Sequence, residues 1–162
     1  MRARYGGRDP ASIMSGKNTH KAATRLTLKS QLAELSRVWP WVDALAAEYD
    51  LPEETHFAID LCLEEALSNI IRHGYRGQPD HDLAIDFTSL GTSVTFVIED
   101  QALHYAPGEP TEAQPANSIE EYRPGGLGVQ LMRRFAGTLH WEPLPHGNRL
   151  TIGFTTAQPP GK

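Results

Sequence analysis

The sequence is poor in cysteine, has no excess of basic charge and contains no long apolar run. Its single cysteine, Cys62, cannot close an internal disulfide, and no Cys-x-x-Cys pair indicates structural zinc. The formal net charge of −5 argues against a broad basic face for nucleic acid. No apolar run approaches the ~18–20 residues of a membrane-spanning helix. We therefore exclude a disulfide-rich scaffold and a membrane protein, and we expect no direct nucleic-acid or membrane partner.

The amino terminus also lacks the apolar core of a secretory signal. The remaining composition is ordinary for a globular chain, with 40% apolar and 22% charged residues among 162. That length is within the ~100–200 residues of one domain. We predict a cytoplasmic protein with one folded domain over residues 23–155, a flexible tail over 1–22 and a proline- and glycine-containing tail over 156–162.

Alternating apolar and polar residues predict five strands. The predicted strands cover residues 23–28, 83–87, 93–98, 138–142 and 149–154. The second and third flank Gly91, and the last two flank a turn at 145–148, so each pair predicts a β-hairpin. Strands that meet in sequential hairpins, with helices elsewhere, indicate an α+β fold. We predict a two-layer α/β sandwich with a mixed, mostly antiparallel sheet.

Apolar residues spaced by three or four predict helices over residues 30–49 and 52–72. In the first, Ser30 is the expected cap, and Pro40 predicts either a kink or two abutting helices near residue 39. The second is apolar nearly all round and ends at Gly74, so we expect it to be buried. A third helix begins at the glycine-rich run 125–128, which is a candidate binding site.

Two polar residues of the second helix are also candidates. Glu65 and Asn69 are four residues apart, so both project from one face of an otherwise apolar helix. A buried carboxylate and amide are costly there unless they are paired or face a ligand. An amide oxygen suits magnesium, and a carboxylate one turn earlier suits a general base. The alternative is structural, with an arginine partner for Glu65 and a loop contact for Asn69.

Two further candidates lie at the ends of predicted elements. Gly125, Gly126 and Gly128 are three glycines in four positions at a helix start, where backbone N–H groups and the helix dipole favour an anion. The run is neither a Rossmann G-x-G-x-x-G motif nor a Walker A loop. Asp100 ends a predicted strand, where a carboxylate can accept the exocyclic amine of adenine. An acid in that place is also a common turn residue.

Residues 101–124 lack periodicity and contain several prolines and glutamates. An irregular stretch of ~20 residues is uncommon inside a compact domain and is typical of a lid or a disordered loop. We predict a mobile lid that becomes ordered when a nucleotide or a partner binds.

The order of these motifs resembles the Bergerat ATP-binding fold shared by histidine kinases and gyrase. The closest resemblance is to the bacterial anti-sigma factor serine/threonine kinases, and it covers about residues 23–155. Residues 65–69, followed by His-Gly-Tyr at 73–75, resemble the N-box of that family. Residues 125–128 resemble its second glycine box, and residues 147–151 resemble its terminal strand.

The resemblance implies an anti-sigma regulatory factor with ATP- and Mg²⁺-dependent serine/threonine kinase activity towards an anti-anti-sigma (STAS-type) partner. It also implies a sigma factor as a second partner, and a homodimer. Asn69 would bind magnesium, Glu65 would be the general base, and Asp100 would meet the adenine amine. Asn148 would lie near the adenine. The phosphates would be cradled by Gly126 and Gly128, with Gly125 shaping the turn.

One position departs from the family pattern. The sequence reads Asp100-Gln101-Ala102 where the family has Asp-x-Gly, and a methyl group disfavours positive φ and close approach to a nucleotide. Glu65 and Asn69 favour a working kinase, whereas Ala102 favours a non-catalytic partner-switching module with weak or no ATP binding. A fragment of a histidine kinase is a third, less favoured hypothesis, because we expect no upstream helix with a phosphoacceptor histidine.

Overall fold

The computed structural model describes residues 24–102 and 126–156. The strands there are β1 (Thr24–Lys29), β2 (Asp82–Leu90), β3 (Ser93–Asp100), β4 (Thr138–Leu144) and β5 (Gly147–Thr155). The α-helices are α1 (Val38–Glu48), α2 (Glu53–Asn69) and α3 (Gly126–Phe135). Both predicted hairpins are confirmed. The predicted tail 1–22, the lid beyond residue 102 and the tail beyond residue 156 lie outside the described residues.

The five strands form one sheet with the order β1-β2-β3-β5-β4. All four neighbouring pairs are antiparallel, which agrees with the predicted, mostly antiparallel sheet. The parallel pairing implied by a mixed sheet does not occur among these strands. The reason is that β4, which runs parallel to β3, lies at the sheet edge, and β5 returns between them.

The inner face of the sheet and the three helices enclose the hydrophobic core, so the predicted two-layer sandwich is confirmed. Alternate residues of the central strands are buried on this face: Leu83, Ile85, Phe87, Val94, Phe96, Ile98, Leu150, Ile152 and Phe154. Phe96 lies at the centre, where its ring centroid is 5.1 Å from that of Phe87 and 6.0 Å from that of Trp41. Within the described ranges, no helix has the length and hydropathy needed to span a membrane.

The outer face of the sheet is polar and carries charges of alternating sign across the strands. Arg25 donates to Asp86 at 2.6 Å, and Arg149 donates to Glu99 at 2.6 Å and to Glu142 at 2.9 Å. Solvated pairs of this kind contribute little individually to stability. Because these charged side chains occupy the outer face, only the inner face of the sheet is apolar. The buried polar residues described below lie on that inner side of the sheet, towards the helices.

The first helical region differs from its prediction. A 3₁₀-helix over Leu32–Arg37 begins without a side-chain cap. Ser30 instead ties two loops together, because its hydroxyl donates to the Gln78 carbonyl at 2.6 Å and accepts the His81 N–H at 3.1 Å. Pro40 lies in the first turn of α1, where a missing N–H breaks no helical hydrogen bond. Of the two outcomes predicted at Pro40, the structure has the two abutting helices, with the 3₁₀-helix followed directly by α1.

The predicted helix over residues 52–72 is confirmed as α2 and a π-helical turn over Ile70–Gly74. In this wider turn the Tyr75 N–H donates to the carbonyl five residues earlier at 2.9 Å, and the Tyr75 side chain is buried. One apolar residue of the helix was wrongly expected in the core. Phe57 lies near the start of α2 and is 59% exposed, and its ring contacts that of Phe135, which is also exposed.

Candidate functional site

The two polar residues of α2 face the first turn of α3. A Cβ atom added to Gly128 would overlap the Glu65 carboxylate, with its carboxyl carbon at 3.0 Å, and would lie 3.4 Å from Asn69 Nδ2. A side chain at this position would displace the Glu65 carboxylate from the turn. The structure thus brings together three of the predicted site residues, and Gly126 begins the same turn of α3. Gly125 lies outside the described residues.

The Asn69 amide is placed to bind a polar ligand. The residue is 7% exposed, and its Nδ2 atom has no hydrogen-bond partner among the described residues. An unsatisfied buried polar group costs about 1–3 kcal/mol, which a ligand between α2 and α3 would offset. No group of three or more His, Cys, Asp or Glu in the described ranges could hold a metal. The unpartnered Nδ2 is a hydrogen-bond donor and fits an acceptor such as a phosphate oxygen. The amide oxygen is the Asn69 atom that would hold magnesium, which takes few protein ligands and completes its shell with water and phosphate oxygens.

The second part of the site lies at the end of β3. Asp100 is buried and pairs with Asn148 across the β3–β5 ladder. Asn148 is 3% exposed, and its amide donates to Asp100 Oδ1 at 2.9 Å and to the Ala102 carbonyl at 2.6 Å. The Ala102 N–H donates to the same Asp100 Oδ1 at 2.8 Å. Both N–H groups of the Asn148 amide are therefore used within the protein, so Asn148 holds Asp100 instead of presenting a donor to a ligand.

Burial and hydrogen bonding act in opposite directions on Asp100. Burial raises the pKa of its carboxyl group, while the hydrogen bonds from Asn148 and the Ala102 N–H lower it. The net pKa is raised above the ordinary value for aspartate. This carboxyl group therefore favours folding below its ordinary pKa, and that contribution is lost as the pH rises through the raised pKa. A hydrogen-bond donor from a ligand would favour the ionised carboxylate and oppose the effect of burial.

Tyr75 supports the same strand end from the π-helical turn. Its hydroxyl accepts the Gln101 N–H at 2.7 Å and donates to the Asp82 carbonyl at 3.1 Å. Its ring stacks on His81 with the centroids 4.8 Å apart and the planes 10° apart. Burial raises the pKa of the Tyr75 phenol, which keeps the hydroxyl protonated and able to donate.

Gly147 allows β5 to approach the end of β3. Its φ of +139° is rarely adopted by residues with a side chain. A Cβ atom there would overlap the Asp100 carbonyl oxygen and lie 2.8 Å from both the Asp100 carbonyl carbon and the Gln101 Cα. The glycine is therefore required for the close approach that sets Asn148 opposite Asp100.

Ala102, the departure from the family pattern, fits its surroundings. The described non-glycine residues with positive φ are Asp50, Arg76 and Asp80, so Ala102 does not need the conformation that favours glycine. Its methyl group is buried and belongs to the hydrophobic core. The backbone strain considered from the sequence is absent, which removes that argument for weak nucleotide binding.

Ala102→Gly is accordingly expected to lower the free energy of unfolding by about 0.4–1 kcal/mol, because glycine increases the freedom of the unfolded chain. The affinity for ATP should not increase. Urea unfolding and calorimetric titration of both proteins measure the two quantities. Tighter ATP binding by the glycine variant would show that the methyl group crowds the nucleotide.

Six of the described site residues are predicted from the sequence, whereas the roles of Tyr75 and Gly147 are not. Tyr75 belongs to a stretch that stands out by its family resemblance, and Gly147 belongs to the predicted turn at 145–148. The His-Gly-Tyr sequence after the N-box and the turn before Asn148 were the available signals. Neither could show a contact with Asp100, because each contact joins parts of the chain that are far apart in sequence.

The site lies within a region shared with known proteins. Residues 28–154 match the family model described as the histidine kinase-like ATPase domain. The chain is 32% identical over 114 residues to the serine/threonine-protein kinase BtrW of Bordetella bronchiseptica, covering 69% of this chain and 79% of that protein.

Among solved structures, the chain is similar to the histidine kinase domain of the blue-light activated histidine kinase EL346 from Erythrobacter litoralis. The TM-score is 0.48 at 18% identity, covering 76% of this chain. The chain spans 60% of the length of that structure. The family match includes every described site residue from Glu65 to Asn148. The chain therefore belongs to the histidine kinase-like ATPase family.

Proposed function

We propose that the chain is an ATP- and Mg²⁺-dependent serine/threonine protein kinase that phosphorylates an anti-anti-sigma (STAS-type) partner and also holds a sigma factor. Its family and its 32% identity to a protein named as a serine/threonine kinase support this proposal. The observation that carries it is the contact of Glu65 and Asn69 with Gly128, because it joins a base, an oxygen ligand and a phosphate-binding turn.

In this proposal the nucleotide lies between the two parts of the site. Asp100 accepts the exocyclic amine of adenine, and Asn69 supplies an oxygen ligand to magnesium. Gly126 and Gly128 offer backbone N–H groups to the phosphates at the start of α3, and Gly125 shapes the turn before them. Magnesium, when bound, neutralises phosphate charge.

Glu65 is the general base for the acceptor hydroxyl group. Its carboxylate is half-buried and lies one helical turn before Asn69, beside the glycine turn. The proton leaves the serine or threonine oxygen of the partner and is held on the carboxylate, so that this oxygen becomes a better nucleophile. A positioned base of this kind contributes about 10²–10⁴-fold to a rate.

The proposal is tested by incubating the purified chain with Mg²⁺, γ-labelled ATP and candidate anti-anti-sigma proteins. We expect label on a serine or threonine of one partner, and little label after magnesium is chelated or in Asn69→Ala. Gln130→Ala, which removes an exposed amide of α3, is the matched control and should label normally. A partner that binds without being labelled would identify a non-catalytic switching module. No ATP binding by the parent protein would overturn the proposal altogether.

A further inference from the structure

The segment 100–102 is held from three directions. Tyr75 binds the Gln101 N–H from the π-helical turn, and Asn148 binds both Asp100 and the Ala102 carbonyl from β5. The backbone of Gly147 packs against the Asp100 carbonyl group. These contacts fix the main chain on both sides of the Asp100 carboxylate.

The same contacts distinguish the two oxygens of that carboxylate. Asp100 Oδ1 accepts hydrogen bonds from the Asn148 amide and the Ala102 N–H. Among the described residues no hydrogen bond ends at Oδ2. Oδ2 is therefore the atom left to accept a donor from a ligand, and its direction is set by the bonds to Oδ1.

Tyr75 also connects the two parts of the site. It follows Asn69 by six residues, across the π-helical turn that ends α2. The Tyr75 ring is packed in the core, while its hydroxyl holds the residue after Asp100. A π-helical turn is rare and is often found at functional sites. Here it brings the end of the helix that carries Asn69 into direct contact with the strand end that carries Asp100.

We infer that Tyr75 and Asn148 are positioning residues, which orient Asp100 Oδ2 to recognise the exocyclic amine of a 6-aminopurine. This inference rests on the proposed function, in which Asp100 reads the base. Tyr75 and Asn148 form hydrogen bonds only with protein atoms in this inference, yet they determine the selectivity for purines that carry an amine at position 6. Neither residue needs to touch the nucleotide.

The test compares the affinities for ATP and for purine riboside triphosphate, which lacks the 6-amine, with Mg²⁺ present. A hydrogen bond to a carboxylate supports a preference for ATP of about 10- to 100-fold in the parent protein. In Tyr75→Phe and in Asn148→Ala this preference should fall at least roughly threefold, because Asp100 is no longer held in one orientation. The affinity for purine riboside triphosphate should stay near the parental value, since it depends on the phosphate end of the site.

Tyr49→Phe is the matched control, because Tyr49 packs against Phe87 away from the candidate site and the change also removes one phenolic hydroxyl. Its preference should equal that of the parent protein. Thermal unfolding identifies any variant that fails to fold, and the remaining variant then decides the result. A parental preference that persists in the folded variants, or an equal loss for both nucleotides, would overturn the inference while leaving the proposed function intact. A parent protein with no preference would overturn the role of Asp100 itself.

Discussion

Glu65→Gln is expected to reduce phosphotransfer to the protein partner by about 10²–10⁴-fold while leaving the affinity for ATP almost unchanged. Glutamine preserves the volume of the side chain and its contact with Gly128. It cannot accept the proton of the acceptor hydroxyl, so the loss should appear in the rate and not in binding. Single-turnover labelling at saturating ATP, together with calorimetric titration, separates the two effects.

The neighbouring residue provides a matched control for this experiment. Glu64 is exposed on the adjacent face of α2, so Glu64→Gln makes the same chemical change outside the site. We expect it to retain the parental rate. If Glu65→Gln also labels the partner at the parental rate, Glu65 is not the base, and the structural interpretation of this carboxylate is correct.

The second large effect is expected from Gly147→Ala. A side chain at a sparsely populated backbone conformation costs roughly 1–3 kcal/mol, and forcing a methyl group into close-packed atoms costs roughly 1–3 kcal/mol more. The free energy of unfolding should therefore fall by at least about 2 kcal/mol. ATP affinity should also fall, because relief of the overlap moves β5 and Asn148 away from Asp100. Urea unfolding and calorimetric titration measure these changes.

Gly91→Ala is the control for the backbone conformation alone. Gly91 has a φ of +59°, but a Cβ atom there would meet nothing within 4 Å. We expect a cost of about 1–2 kcal/mol from the left-handed conformation, with no effect on nucleotide binding. Equal losses of stability and unchanged ATP affinity in both variants would show that the contact between Gly147 and Asp100 has no role in the site.

The sheet was predictable because its pattern is local. The alternation around Gly91 and the turn at 145–148 each predict a hairpin without knowledge of the rest of the chain. The exceptions depend on tertiary contacts. Ser30 has the chemistry of a helix cap but binds loop atoms near residues 78 and 81. Phe57 is apolar but exposed near the start of α2, and the spacing of apolar residues along the helix does not show this.

The candidate site also has a part that local sequence predicts and a part that it does not. The four-residue spacing of Glu65 and Asn69 places both side chains on one helical face, so their proximity follows from helix geometry. The hydrogen bond between Asn148 and Asp100 joins residues 48 positions apart and depends on the register of β3 with β5. The supporting role of Tyr75 depends on a π-helical turn that no local pattern in the sequence predicts.

In the proposed function, Asp100 and Gly128 lie at the two ends of one nucleotide site. The most direct measurement follows the assigned backbone amide resonances during titration with Mg²⁺ and a non-hydrolysable ATP analogue. We expect saturable shifts with one shared dissociation constant at Gln101 and Ala102 and at Asn69 and Gly128, while the turn at Gly91 stays unchanged. Shifts at only one end, or none at millimolar nucleotide, would contradict it.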